Sequence, residues 1–157
     1  MASTNSLQKL NQFIVQAKAA TYVGDGQNAT PSRKNSHDLA FHAGGFSYLD
    51  SYFGGTDFIG QEVVYEHEEP IWAMNYYGRI LAPDKITAVQ AGQVIKQSLS
   101  KLYEEGRFLG GFTHTVGAFS YTDTSQGNLP AFTGKEWITR GGVTVYELVY
   151  HGGMIKA

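Results

Sequence analysis

The apolar residues near the N-terminus recur at the spacing of one helix face. The residues of this stripe are Leu7, Leu10, Phe13, Ile14 and Ala17. The pattern predicts an amphipathic helix over residues 4–20, with Thr4, Asn5 or Ser6 as its N-cap.

A second stripe of the same period predicts another amphipathic helix over residues 86–105. Asp84 or Thr87 is its expected N-cap, and Gly92 lowers the helix propensity in its middle. The apolar positions of this stripe are Ile86, Val89, Val94, Ile95, Leu99, Leu102 and Tyr103.

Between the helices the apolar period shortens to two, which is typical of strands. Four runs rich in aromatic and β-branched residues occupy 39–41, 46–53, 58–66 and 71–80. Short glycine-rich or polar turns join them, so they predict an antiparallel meander. Further strands are predicted at 112–121, 137–139 and 143–150, and a long polar loop at 24–36.

The order of helix, strands, helix and strands is typical of an α+β fold. We expect a curved antiparallel β-sheet of about six to seven strands with two amphipathic helices packed on one face. No linker divides the 157 residues, so residues 1–157 are predicted to form a single domain. No internal repeat is apparent along the chain.

Composition narrows the class of protein. The chain has no cysteine, which excludes disulfides and thiol catalysis, and its net charge of −2 does not indicate direct nucleic-acid binding. No apolar run reaches the roughly 18 residues of a membrane span, and no signal peptide is visible. A cytoplasmic location is therefore expected, without association with a membrane.

Alternation along the predicted strands places hydrogen-bonding side chains among aromatic ones, which suits a ligand pocket with a few placed polar groups. A solvent-exposed sheet face is the alternative. Glu147 argues against it, since the neighbouring positions on its side of the strand are valines and a carboxylate there must be paired, at an edge or functional. The predicted ligand-binding residues are Arg33, Asp38, Tyr48, Asp50, Tyr52, Glu62, Asn75, Tyr77, Arg79 and Glu147.

Acid–base groups offer candidates for catalysis but no recognised signature. The candidates are Asp50, Glu62, Glu147 and His151. The five histidines have no metal-ligand spacing, so neither a metal nor another cofactor is expected. Gly24-Asp25-Gly26 lacks the ending of a phosphate-binding loop.

Four spaced motifs resemble a bacterial domain family of unknown function, whose members stand alone or follow helix-turn-helix transcriptional regulators. The motifs are Ser32-Arg33-x-x-Ser36-His37-Asp38-Leu39, Tyr48-x-Asp50-x-Tyr52-x-Gly54-Gly55-x-x-Phe58-x-Gly60-x-Glu62, Trp72-Ala73-Met74-Asn75-Tyr76-Tyr77-Gly78-Arg79 and Tyr146-Glu147-x-x-x-His151-Gly152-Gly153. The resemblance implies one domain over nearly the whole chain, and it carries no known activity.

Three functions stay open at this point. The leading hypothesis is a domain that senses or sequesters a small polar or planar ligand, with Arg33 and Asn75 as hydrogen-bonding groups. The alternatives are a small enzyme without a cofactor that uses carboxylate, histidine or tyrosine acid–base catalysis, and a protein-interaction module. A homodimer is compatible with each of them.

Overall fold

A computed structural model describes residues 2–23 and 28–157. In this part of the chain nine strands form one antiparallel sheet, in the order β1-β2-β3-β4-β5-β9-β8-β7-β6. The strands are β1 (Asn28–Ala29), β2 (His37–Ala43), β3 (Phe46–Gly54), β4 (Phe58–Glu66), β5 (Glu69–Ile80), β6 (Phe112–Val116), β7 (Phe119–Asn128), β8 (Ala131–Arg140) and β9 (Val143–Met154).

The first helix, α1 (Thr4–Lys18), begins at the predicted residue, but its N-cap lies one residue before the predicted candidates. Ser3 is the N-cap, because its hydroxyl accepts a hydrogen bond of 3.2 Å from the backbone N–H of Ser6. The predicted stripe is buried apart from Leu7, and a π-helical segment (Ala19–Val23) continues the helix.

The second helix, α2 (Ala88–Glu104), follows Thr87, which forms a capping box with Gln90. Most of the predicted stripe is buried against the sheet. Val89 is the exception, because 71% of its surface is exposed; its assignment to the stripe was wrong.

Both helices lie on one face of the sheet, which we call the inner face. Lys18 at the end of α1 and Tyr103 of α2 contact the same cavity, whose floor includes Glu62 of β4 and Leu148 of β9. The other side of the sheet, which carries Asn75, is the outer face. The predicted α+β class and the packing of two helices on one face are confirmed.

The sheet has more strands than the expected six to seven. The run predicted at 112–121 is a hairpin, β6 and β7, that turns at Gly117, whose φ of 58° favours glycine. The short run at 137–139 is part of the ten-residue β8. The predicted loop at 24–36 contains β1, and its residues 24–27, with the candidate Gly24-Asp25-Gly26, lie outside the described residues.

The expectation of no internal repeat is wrong. In each half of the chain a helix precedes a four-stranded meander, β2–β5 or β6–β9, and the two meanders meet where β5 pairs with β9. Cross-strand partners repeat as well: Asp50 opposes Glu62 as Asp123 opposes Glu136, and Gly60 opposes Tyr76 as Gly134 opposes Tyr150. Identity is confined to short stretches such as Phe46-Ser47-Tyr48 and Phe119-Ser120-Tyr121, and this is why the repeat is hard to see in the sequence.

Candidate functional site

Four buried carboxyl groups lie on the inner face in the described part of the chain. They are Asp50, Glu62, Asp123 and Glu136, on β3, β4, β7 and β8. An ionised carboxylate is costly to bury unless it is paired or hydrogen-bonded. The four carboxyl groups differ in the partners that the structure gives them.

In the first half, tyrosines and one lysine donate hydrogen bonds to these carboxyl groups. The Tyr48 hydroxyl donates to Glu62 Oε1 at 2.5 Å, and the Tyr76 hydroxyl donates to Asp50 Oδ1 at 2.6 Å. Lys18 Nζ lies 2.9 Å and 3.0 Å from the two carboxylate oxygens of Glu62. Glu62 thus has a buried counter-ion, whereas Asp50 faces a phenol.

The second half repeats the tyrosines but not the lysine. Tyr121 and Tyr146 both donate to Glu136, the latter at 3.1 Å, and the Tyr150 hydroxyl donates to Asp123 Oδ1 at 2.9 Å. Among the described residues no lysine or arginine forms an ion pair with Asp123 or Glu136.

Burial determines the protonation of this face. Burial, and next the neighbouring Glu62, raises the pKa of Asp50 to about 8. Burial and then Glu136 raises the pKa of Asp123 to about 7, and burial also raises the pKa of Glu136. At neutral pH Asp50 therefore holds a proton for most of the time.

A cleft of about 480 Å³ opens between α2 and the first half of the sheet, and we call it the inner cleft. Asp50 and Tyr76 belong to its lining, together with other aromatic side chains. The remaining aromatic residues of the lining are Tyr22, Tyr52, Phe58 and Tyr146.

Small residues keep the helix side of this cleft open. Ala88, Ala91 and Gly92 of α2 line it, and a Cβ built on Gly92 would have no atom within 4 Å. Glycine in the middle of a helix costs roughly 0.5–1 kcal/mol relative to alanine. The space beside Gly92 is thus part of the cleft rather than packed core.

A second, smaller cavity of about 50 Å³ lies between the two halves of the inner face. Lys18, Glu62, Asp123 and Glu136 contribute to its walls. Asp123 Oδ2 is buried and has no hydrogen-bond partner in the described part of the chain. The cavity brings the carboxyl groups of both halves together.

The predicted convergence of Tyr48, Asp50, Asn75, Tyr77, Arg79 and Glu147 in one pocket is wrong, because the sheet separates them. The cross-strand register runs from Asp50 through Glu62 to Met74, so Asn75 points to the other face. Tyr48, Asp50, Tyr52 and Glu62 belong to the inner face, and Asn75, Tyr77, Arg79 and Glu147 to the outer face.

On the outer face, Arg33, Asn75, Tyr77 and His151 border a depression of about 510 Å³. The polar side chains here bond mostly to one another. Gln61 Nε2 donates to Asn75 Oδ1 at 2.8 Å, and Arg33 stacks on Phe53 at 4.7 Å and donates to Ser51 Oγ.

Glu147 and Asp38 have structural partners on that face. Glu147 is paired with Arg79 at 2.9 Å and with Lys135 at 3.1 Å, and these hydrogen bonds lower its pKa. For Asp38, burial alone would raise the pKa, but hydrogen bonds from the serines Ser32, Ser36 and Ser51 outweigh it and the pKa is lowered. The sequence required Glu147 to be paired, at an edge or functional, and in the structure it is paired.

Sequence reasoning missed several residues of the inner site. Lys18, Tyr76, Gly92, Asp123 and Glu136 were not among the predicted site residues. The signal that would have found Asp123 and Glu136 is the recurrence of Tyr-x-Asp and Gly-x-Glu, first at 48–50 and 60–62 and then at 121–123 and 134–136.

Two kinds of feature are absent from residues 2–23 and 28–157. No group of three or more histidine, cysteine, aspartate or glutamate side chains there is placed to hold a metal ion. None of the helices there combines the length and the apolar character needed to cross a membrane.

Comparison with known proteins identifies one family. Residues 50–155 match the model of a family described as a domain of unknown function, DUF5680. No curated protein and no solved structure matches the chain. The matched region includes Asp50, Gly92 and all the residues that form the second half of the repeat, whereas Lys18 precedes it.

Proposed function

The chain belongs to the DUF5680 family, and we propose that it binds a small molecule in the inner cleft. The observation that carries this proposal is a cleft of about 480 Å³ with aromatic walls and one buried carboxyl group. Sites for small molecules are concave, mostly apolar and equipped with few polar groups, and their volumes are about 300–1,000 Å³.

The composition of the inner cleft favours it over the outer depression as the site of ligand binding. Asp50 is only 1% exposed and yet belongs to the lining, so a ligand in the cleft reaches a desolvated polar group. The polar groups of the outer depression are exposed or bonded to each other, as in Gln61 and Asn75. Water competes less in the inner cleft, so each polar contact there contributes more to affinity.

An enzymatic role is the second candidate, and one observation favours it. Asp50 has a pKa of about 8 and lies 2.6 Å from the Tyr76 hydroxyl, which suits proton transfer near neutral pH. Of the candidates from the sequence, Asp50 lines the cleft and Glu62 adjoins it, whereas Glu147 and His151 are on the outer face. Turnover that Asp50→Asn abolishes without loss of binding would favour the enzyme.

The interaction module has a separate basis on the outer face. Ile59, Tyr77 and Val149 are exposed and lie side by side across β4, β5 and β9. Such a stripe favours contact with another protein or a second copy of the chain. Binding that survives in variants with a blocked inner cleft would support this alternative.

The biological setting is also a proposal. The resemblance to domains that follow helix-turn-helix regulators suggests a sensor in a bacterial cytoplasm, acting on a regulator as a separate partner protein. Ligand binding in the cleft would then be the sensed event, because α2 forms one wall of the cleft and packs on both halves of the structure.

Replacing Gly92 tests the proposed site directly. We expect Gly92→Leu to fill the cleft and weaken binding of a small aromatic probe, acridine or 9-aminoacridine, at least tenfold in a fluorescence titration. The fold should be retained, because a Cβ at this position meets no other atom and leucine favours helices over glycine. Thermal unfolding of the same samples verifies this.

Two control variants locate the binding site. Gly92→Ala adds a single methyl group and should leave the affinity within about threefold. Arg33→Ala alters the outer depression and should not change it. Unchanged affinity in Gly92→Leu, or its loss in Arg33→Ala, would show that the inner cleft is not the binding site.

A further inference from the structure

We propose that the occupant of the inner cleft is an aromatic monocation whose positive charge pairs with Asp50. This inference rests on the proposed binding function and adds the chemical class of the ligand. Aromatic walls and a carboxyl group at the base of the cleft are the two features that such a molecule requires.

Asp50 is hydrogen-bonded to a phenol and paired with no cation in the described part of the chain. Its Oδ1 accepts the hydrogen bond from Tyr76, which is the one side-chain hydrogen bond to Asp50 in the described part of the chain. No arginine or lysine within 4 Å neutralises it there. A ligand in the cleft can thus supply the counter-charge that the protein does not.

The charged groups around Asp50 also favour a cationic ligand. Asp50 faces Glu62 on β4, while Asp38 of β2 lies on the other face of the sheet. The cation that partly offsets these charges, Lys18 of α1, is bonded to both oxygens of Glu62. Lys96 of α2 is at the exposed rim, where water screens its charge. An anionic ligand would be repelled by Glu62 beside Asp50, whereas a cation relieves the repulsion between these two carboxyl groups.

Aromatic side chains lie close to Asp50 in the cleft. Tyr22, Tyr52 and Phe58 line the cleft beside Asp50, from the π-helical segment, β3 and β4. The faces of phenol and phenyl rings attract cations, most strongly when water is excluded. A planar aromatic cation gains from stacking and from charge together, which favours it over a small inorganic ion.

Binding of such a ligand exchanges one positive charge for another. Asp50 in its carboxylic acid form loses its proton to solvent, and the carboxylate that remains pairs with the ligand cation. Because burial raises the pKa of Asp50 to about 8, this proton is present before binding at pH 7. Uptake of the cation at pH 7 should therefore release close to one proton.

Three acridines of similar shape separate charge from shape. At pH 7.5, 9-aminoacridine is a cation, acridine is neutral and acridine-9-carboxylate carries a negative charge. We expect 9-aminoacridine to bind at least tenfold more tightly than acridine, and the carboxylate to bind most weakly. In Asp50→Asn the cation should lose at least tenfold in affinity, while acridine changes less than threefold.

A second measurement uses the unmodified protein, so the result does not depend on the folding of a variant. Isothermal titration with 9-aminoacridine in buffers of different ionisation enthalpy should give a release of 0.5–1 proton at pH 7, falling toward zero at pH 9. Glu147→Gln, which removes an outer-face carboxylate, is the matched control and should change neither the affinity nor the proton count.

The possible failures are distinct. If acridine and 9-aminoacridine bind equally well and Gly92→Leu blocks both, the cleft is a binding site and the cationic ligand is wrong. If Gly92→Leu blocks neither probe, the proposed function is wrong as well. Tight binding of the cation without proton release at pH 7 would also overturn the pairing with Asp50.

Discussion

Lys18 shows how much one residue contributes to the inner face. It follows Ile14 by one helical turn, so the spacing of α1 places it on the buried stripe, and it is only 3% exposed. Its ammonium group neutralises Glu62, the residue directly opposite Asp50. Because the ammonium group of Lys18 is already paired with Glu62, Asp50 is neutralised by a proton instead.

The protonation of Asp50 should be visible in the pH dependence of stability. Its pKa is about 3.9 in an unfolded chain and about 8 in the folded one, so between these values the unfolded state binds fewer protons. Stability therefore falls as pH rises through this interval, by at most about 1.4 kcal/mol per pH unit from this group. Asp50→Asn should remove that component of the slope.

Urea unfolding at pH 5, 6, 7 and 8 measures this slope. Asn keeps the acceptor for the Tyr76 hydroxyl, so the comparison isolates the charge. Asp123 and Glu136 have the same sign and should leave a residual slope in the variant. Equal slopes in wild type and Asp50→Asn would mean that Asp50 is ionised in the folded protein.

At the scale of elements, each half has a strand glycine, and the side chain of a tyrosine on the next strand lies over that glycine. Gly60 of β4 lies under Tyr76 of β5, and Gly134 of β8 lies under Tyr150 of β9. This approach brings each hydroxyl to its carboxyl group on the strand beyond. Glycine within a strand often marks such a close contact.

Gly134→Ala tests this arrangement. A Cβ at residue 134 would lie 2.0 Å from Cζ of Tyr150, so the ring must move from Asp123. We expect a loss of about 1–3 kcal/mol in the free energy of unfolding, as for other overpacked sites. Gly45→Ala is the control, since its nearest atom is at 3.9 Å; an equal effect of both substitutions would contradict the explanation.

For the whole molecule, the two repeats share one core. The β5–β9 ladder joins them, and Trp72 of the first half stacks on Phe132 of the second with 5.9 Å between ring centroids. Phe108, which follows α2, packs edge-on against both rings. Neither half can lose this contact alone without exposing the apolar surface of the other.

The halves should therefore unfold together. Val64 and Ile138 are fully buried equivalents in β4 and β8, so alanine at either position should lower the same single calorimetric transition. The loss for Ile138→Ala should be about 2–5 kcal/mol, and smaller for Val64→Ala. Separate transitions in either variant would show that each half folds independently.

Local patterns in the sequence determined the elements and much of the core. The apolar period located both helices, with boundaries shifted by one to two residues at α2, because burial of an apolar stripe depends on near neighbours. The cap of α2, Thr87, was among the predicted candidates, whereas the cap of α1, Ser3, was not. Alternation likewise separates Trp72 and Met74 from Asn75 and Tyr77 on opposite faces of β5. The α+β class followed from the order of these elements.

Tertiary structure alone decided which of these faces meet. Alternation separates Asp50 from Ser51 and Met74 from Asn75 within each strand, but the register between strands aligns Asp50 with Glu62 and Met74. Partners distant in sequence, such as Lys18 with Glu62 or β5 with β9, depend on how the whole chain packs. The inner cleft exists because α2 packs on β6 and β7 and borders the first half of the sheet with Gly92 toward the cleft, and no local spacing encodes that arrangement.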